Sequence, residues 1–202
     1  MTIDRIELVK IYIQNEIKKN EFKKNELESI LEKIQNPNNK DNPNNIDMLF
    51  YTHELKVGII PGYETWEEIS INQSFLNDCA ISNNIFENEN QSLKVLKTKD
   101  CFNNWKPNRE TLWYKDLEFP VNNKSEWKDK FTIILRPAVQ SEEDQGALYY
   151  IEDGSGKSIC FLRRMIKDKD NTTTIKGYLG IEPDIKSIFM QEKFSELFPS
   201  KI

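Results

Sequence analysis

Residues 131–168 read FTIILRPAVQSEEDQGALYYIEDGSGKSICFLRRMIKD, and no other stretch restricts the fold as much. Residues 131–135 are an apolar, β-branched run stopped by Arg136 and Pro137, which reads as a strand. Residues 141–146 read as an acidic loop, and residues 147–151 as a second strand rich in aromatics. Asp153-Gly154 is a turn signal. After it, Ile159, Phe161, Leu162, Met165 and Ile166 follow at helical spacing. A strand that breaks through glycine into a helix leaves unpaired N–H groups at the positive end of the helix dipole, and these favour an anion such as a phosphate. The turn at residues 154–158 (Gly154, Ser155, Gly156, Lys157 and Ser158) is therefore the expected phosphate-binding segment.

Lys157 is the expected counter-charge there, with Arg136 the next cation along. Glu152 and Asp153 are the candidate catalytic carboxylates, able to hold a divalent metal that bridges phosphates. Arg163 and Arg164 lie about two turns into the helix, where one is expected to reach back to the ligand and the other to face solvent. The string GSGKS ends like a P-loop, GxxxxGKS, but the first glycine of that pattern would fall on Ile151, and the chain after Ser158 is short for the further strands such a domain requires.

Ile133-Ile134-Leu135-Arg136-Pro137, then Tyr150-Ile151-Glu152-Asp153-Gly154-Ser155-Gly156-Lys157, an apolar helix, and the strand-like Thr174-Ile175-Lys176-Gly177-Tyr178 together resemble the ParB/sulfiredoxin-like fold over residues 112–182. The resemblance implies an α+β domain with a mixed sheet. It also implies a nucleotide whose phosphates sit at this turn, CTP in ParB and ATP in sulfiredoxin; with the carboxylates at residues 152 and 153, the expected cofactor is a nucleotide with Mg2+. Gly156 stands where the family has a His or Arg, Lys157 where an Arg follows, and Ser155 where sulfiredoxin has its catalytic Cys. Sulfiredoxin chemistry is accordingly not expected.

The rest of the chain adds an N-terminal extension. Residues 3–19 place Ile6, Val9, Ile13 and Ile17 on one helical stripe, with Thr2 as the expected cap. Asn25 is the expected cap of a second helix carrying Leu27, Ile30, Leu31 and Ile34. Residues 1–35 thus read as a helical hairpin, a candidate surface for a protein partner. Two Asn-Pro pairs make residues 36–46 a linker, and residues 47–202 the α+β domain. Within that domain, residues 48–51 and 55–60 read as strands, Thr65 as the cap of a short helix holding Trp66 and Ile69, and residues 72–92 as irregular. Leu93 to Val95 read as a strand, and Trp105, Trp113, Tyr114 and Trp127 as core aromatics. Residues 172–178 form a β-rich run, Gly180 and Pro183 bracket a turn, and a final helix opens at Asp184.

Charge and composition narrow the function. The net charge of −5 argues against broad nucleic-acid binding and leaves a nuclease as the third reading. Three cysteines without C-x-x-C spacing and one histidine, His53, disfavour both a disulfide framework and a zinc site. Cys160 reads as a packed core thiol. No leader or membrane-length apolar run is visible, so a reducing, cytoplasmic setting is expected, with a signal-independent secretion route as the other way out of the cell. The leading expectation is a domain that binds a nucleotide or phosphorylated small molecule and performs phosphoryl transfer or nucleotide hydrolysis. Its alternative is an inactive protein-binding module on the same scaffold, of the immunity, inhibitor or effector kind.

Overall fold

The computed structural model describes residues 1–19, 24–36, 62–82, 95–98 and 132–183. The elements in order are β1 (Thr2–Asp4), α1 (Arg5–Lys19), α2 (Lys24–Gln35), β2 (Tyr63–Ile71), α3 (Gln73–Asn77), β3 (Cys79–Ser82), β4 (Val95–Lys97), β5 (Thr132–Pro137), α4 (Gln140–Glu143), β6 (Tyr149–Asp153), α5 (Ser155–Asp168) and β7 (Ile175–Pro183). The protein is α+β, with a mixed sheet. The chain forms two compact units, Met1–Glu68 with Gly180–Ile202, and Ile69–Leu179.

In the first unit, β1 pairs antiparallel with β2 through Thr2↔Glu67, Ile3↔Trp66 and Asp4↔Thr65. α1 and α2 pack against each other, and neither expected cap residue serves as one. Thr2 lies inside β1, and the Asp4 carboxylate accepts the Glu7 N–H at 2.8 Å to open α1. Asn25 lies within α2 rather than before it. Val9 and Ile13 of the expected stripe are buried with Leu8 and Tyr12, while Ile6 and Ile17 at its margins are half-buried. Leu27, Ile30 and Ile34 complete the apolar seam between α1 and α2.

Trp66 is fully buried in strand β2, so Thr65 opens no helix. Tyr63, Trp66 and Ile69 follow each other at a spacing of three, which imitates a helix. The imitation arises because Trp66 is buried on one strand parity and Tyr63 on the other. The Tyr63 ring meets Trp66 edge-on at 5.2 Å. It also covers Gly180, where a Cβ would come within 2.6 Å of the ring. Gly180 is therefore a close-approach glycine inside β7, not part of a turn.

In the second unit the strand order is β7-β5-β6-β3-β4. β5 runs parallel to β7 and antiparallel to β6, and β3 runs parallel to β6 and antiparallel to β4. Alternation along β5 sends Ile133 and Leu135 to one face and Thr132, Ile134 and Arg136 to the other. On the first face they join Ile71, Leu76, Cys79, Ile81, Ile151 and Ile175, and α5 closes this core with Ile159, Cys160, Phe161, Leu162 and Met165. The polar stretch after residue 72 is not irregular where it is described. Asn72 caps α3 by accepting the Phe75 N–H at 2.8 Å, and β3 follows. The acidic segment likewise contains a helical turn, α4, which Glu142 opens by accepting the Val139 N–H at 2.9 Å.

Cys79 and Cys160 are buried core thiols. Burial, reinforced by the Asp78 carboxylate, pushes the Cys79 thiol from its ordinary 9.0 up to about 12. Its Sγ donates to the Phe75 carbonyl at 3.4 Å. The unfolded chain loses this proton first, so the stability the neutral thiol contributes is intact below about pH 9 and falls as pH rises toward 12. In urea titrations between pH 8 and 11, the stability advantage of the wild type over Cys79→Ala is expected to shrink by about 1.4 kcal/mol per pH unit above 9. A constant advantage would refute it.

The far end of α5 closes on a residue in the left-handed conformation. Lys169 takes a left-handed conformation, φ 54°, and the N–H groups of Lys169 and Asp170 donate to Ile166 (3.2 Å) and Met165 (2.9 Å). The Asp170 carboxylate then accepts both backbone and hydroxyl donors from Thr172 and Thr173. A side chain in this conformation is disfavoured where glycine is not. Lys169→Gly is expected to raise the unfolding free energy by about 0.5–1 kcal/mol, read as an increase in Tm.

The linker, His53, Cys101, the expected strands at 48–51 and 55–60, the aromatics from Trp105 to Trp127 and the expected helix from Asp184 lie outside the described residues. Among the described residues no helix is long and apolar enough to cross a membrane.

Candidate functional site

The phosphate-site candidates fall in two places. The first is the junction of β6 and α5. β6 ends at Asp153, α5 begins at Ser155, and Gly154 alone connects them. Gly154 has φ +95°, and a Cβ there would stand 3.2 Å from Ile133 Cγ1, so both the turn and the approach to β5 call for glycine. A single connecting residue provides no long loop to wrap a polyphosphate. What it leaves is the first turn of a 14-residue helix with no side-chain cap.

Ser155 and Gly156 in that turn are partly exposed. Ser158 is turned inward, and both its N–H (2.8 Å) and its hydroxyl (2.9 Å) donate to the Gly154 carbonyl. Lys157 is 5% exposed. Its Nζ donates to the Thr132 carbonyl at 3.4 Å and stands 3.9 Å from the Asp153 carboxylate. The ammonium therefore ties the start of α5 to the start of β5, and its charge is directed into the protein. Asp153 is the more accessible partner of that pair.

The second place is on the other face of the sheet. Arg136 shares a face with Thr132 and Ile134, opposite the Ile133–Leu135 face on which α5 packs. From Ile133, beside Gly154, to Arg136 the strand rises about 10 Å. Arg136 is buried, and its guanidinium donates to Glu142 through Nη1 (2.8 Å) and Nη2 (2.9 Å), and to Glu152 through Nε (2.6 Å). Nη1 also reaches the Pro137 carbonyl at 3.1 Å, and the Tyr150 ring lies 4.2 Å below.

A β-bulge brings Glu152 into this group. Ile134 pairs with Asp153 and Leu135 with Ile151, which leaves Glu152 as the extra residue. Burial works against the charged guanidinium. The hydrogen bonds and charges of Glu142 and Glu152 outweigh it and hold the Arg136 pKa above its ordinary value.

Of the candidate residues, the structure thus brings Asp153, Gly154, Ser155, Gly156, Lys157 and Ser158 together, and sets Arg136 and Glu152 apart with Glu142. Arg164 lies about 13 Å along the helix from Ser155, and its Nε turns to Asp168 at 2.7 Å, away from the turn. Arg163 is half-buried beside it. Sequence reasoning missed Glu142, Tyr150 and the Thr132 carbonyl. Only the Glu142 position carried a local signal, an acid three residues past the helix boundary. Among the described residues no three His, Cys, Asp or Glu side chains gather as a metal-binding set. The sequence matches no family model and no curated protein, and the fold matches no solved structure.

Proposed function

We propose that the β6–α5 junction binds the phosphate of a nucleotide or another phosphorylated small molecule. One observation carries this reading: a long helix is opened by a left-handed glycine, lacks a side-chain cap, and keeps Ser155 and Gly156 partly exposed. The donors are the backbone N–H groups of the first turn with the Ser155 hydroxyl, not the Lys157 ammonium, which is committed to Thr132 and Asp153. Mg2+ fits such a site through Asp153 alone, since this ion is commonly held by one or two carboxylates together with the phosphates it accompanies. Without the metal, phosphoryl transfer would place its acid–base work on Asp153, because Glu152 already accepts from Arg136. The ParB/sulfiredoxin-like scaffold is the fold this reading presupposes.

A thermal-shift series with inorganic phosphate, CTP and ATP, each with and without Mg2+, tests the proposal. A ligand at 100 times its Kd is expected to add about 2.7 kcal/mol to the wild type. Ser155→Asp should abolish that gain while raising ligand-free stability by about 0.3–1 kcal/mol, since its carboxylate occupies the same donors. Lys157→Met should bind with little loss, whereas a direct phosphate contact would cost it tenfold or more.

The second reading, a binding module without chemistry, draws on Arg136. Each of its nitrogens donates to Glu142 or Glu152, so the strongest phosphate-binding side chain near the motif serves the fold. The absence of a shift with every ligand would sink the phosphate reading and favour this one.

A further inference from the structure

We draw no further inference here: the strongest candidate, the buried side-chain cluster of Arg136, Glu142, Glu152 and Tyr150 on β5, α4 and β6, is closed on itself by its own hydrogen bonds and nothing beside it points to a ligand.

Discussion

Arg136→Met is expected to lower the unfolding free energy by about 3–5 kcal/mol, the usual cost of removing one partner from a buried ion pair. The loss comes less from the missing attraction than from what remains. Glu142 and Glu152, with side chains 4% and 14% exposed, would face each other without a counter-charge. Glu142 would keep only the Val139 N–H as a donor, and α4 would lose its tie to β5. Urea unfolding should show a lower midpoint with an unchanged slope. Adding Glu142→Gln and Glu152→Gln to Arg136→Met should recover much of the loss, because no uncompensated charge is then buried. A double-mutant cycle should find stronger coupling to Glu142, which is held by two nitrogens, than to the more exposed Glu152. A loss of less than about 1 kcal/mol would place the cluster among solvent-screened pairs.

The same cluster marks how far the sequence could be read. The order strand, polar segment, strand, glycine turn, helix, strand was legible from residue 132 to residue 178, because each element there carries its own periodicity. β5 is β-branched, α5 has its apolar positions at helical spacing, and Gly154 sits where a left-handed residue is required. The roles of the charged residues were not legible. Arg136 and Lys157 are cations near a glycine turn, and sequence alone assigns both to a phosphate. Arg136 lies on the sheet face away from α5, and its partner Glu152 joins it through a bulge in β6 that no local pattern announces, while Lys157 on α5 turns inward to Thr132 and Asp153. Trp66 was misread for a related reason. β2 buries Tyr63 on one parity and Trp66 on the other, so its alternation is lost and Tyr63, Trp66 and Ile69 imitate a helix. The cap of α1 was displaced by two residues because a short strand, β1, takes Thr2 and leaves Asp4 to cap.

Phe161→Ala is expected to cost about 3–5 kcal/mol, a loss that would also reach the candidate site. Phe161 is fully buried at the centre of α5, among the largest enclosed side chains of the protein. Its neighbours Ile159, Cys160 and Leu162 are equally enclosed, so removing the ring leaves a space that no exposed side chain can fold down to fill. Phe161→Leu keeps most of the volume and should cost under about 1.5 kcal/mol. The pair separates packing from ligand binding. α5 presents its first turn to solvent only while its apolar face is seated on Ile133, Leu135 and Ile151. Phe161→Leu should therefore retain the phosphate-dependent thermal shift, displaced to a lower Tm. Phe161→Ala should lose the shift near the temperature at which α5 leaves the sheet. A Phe161→Ala variant as stable as the wild type would mean that the first turn is held in place by something other than this core. The Lys157 tie to Thr132 and Asp153 would then be the next contact to remove.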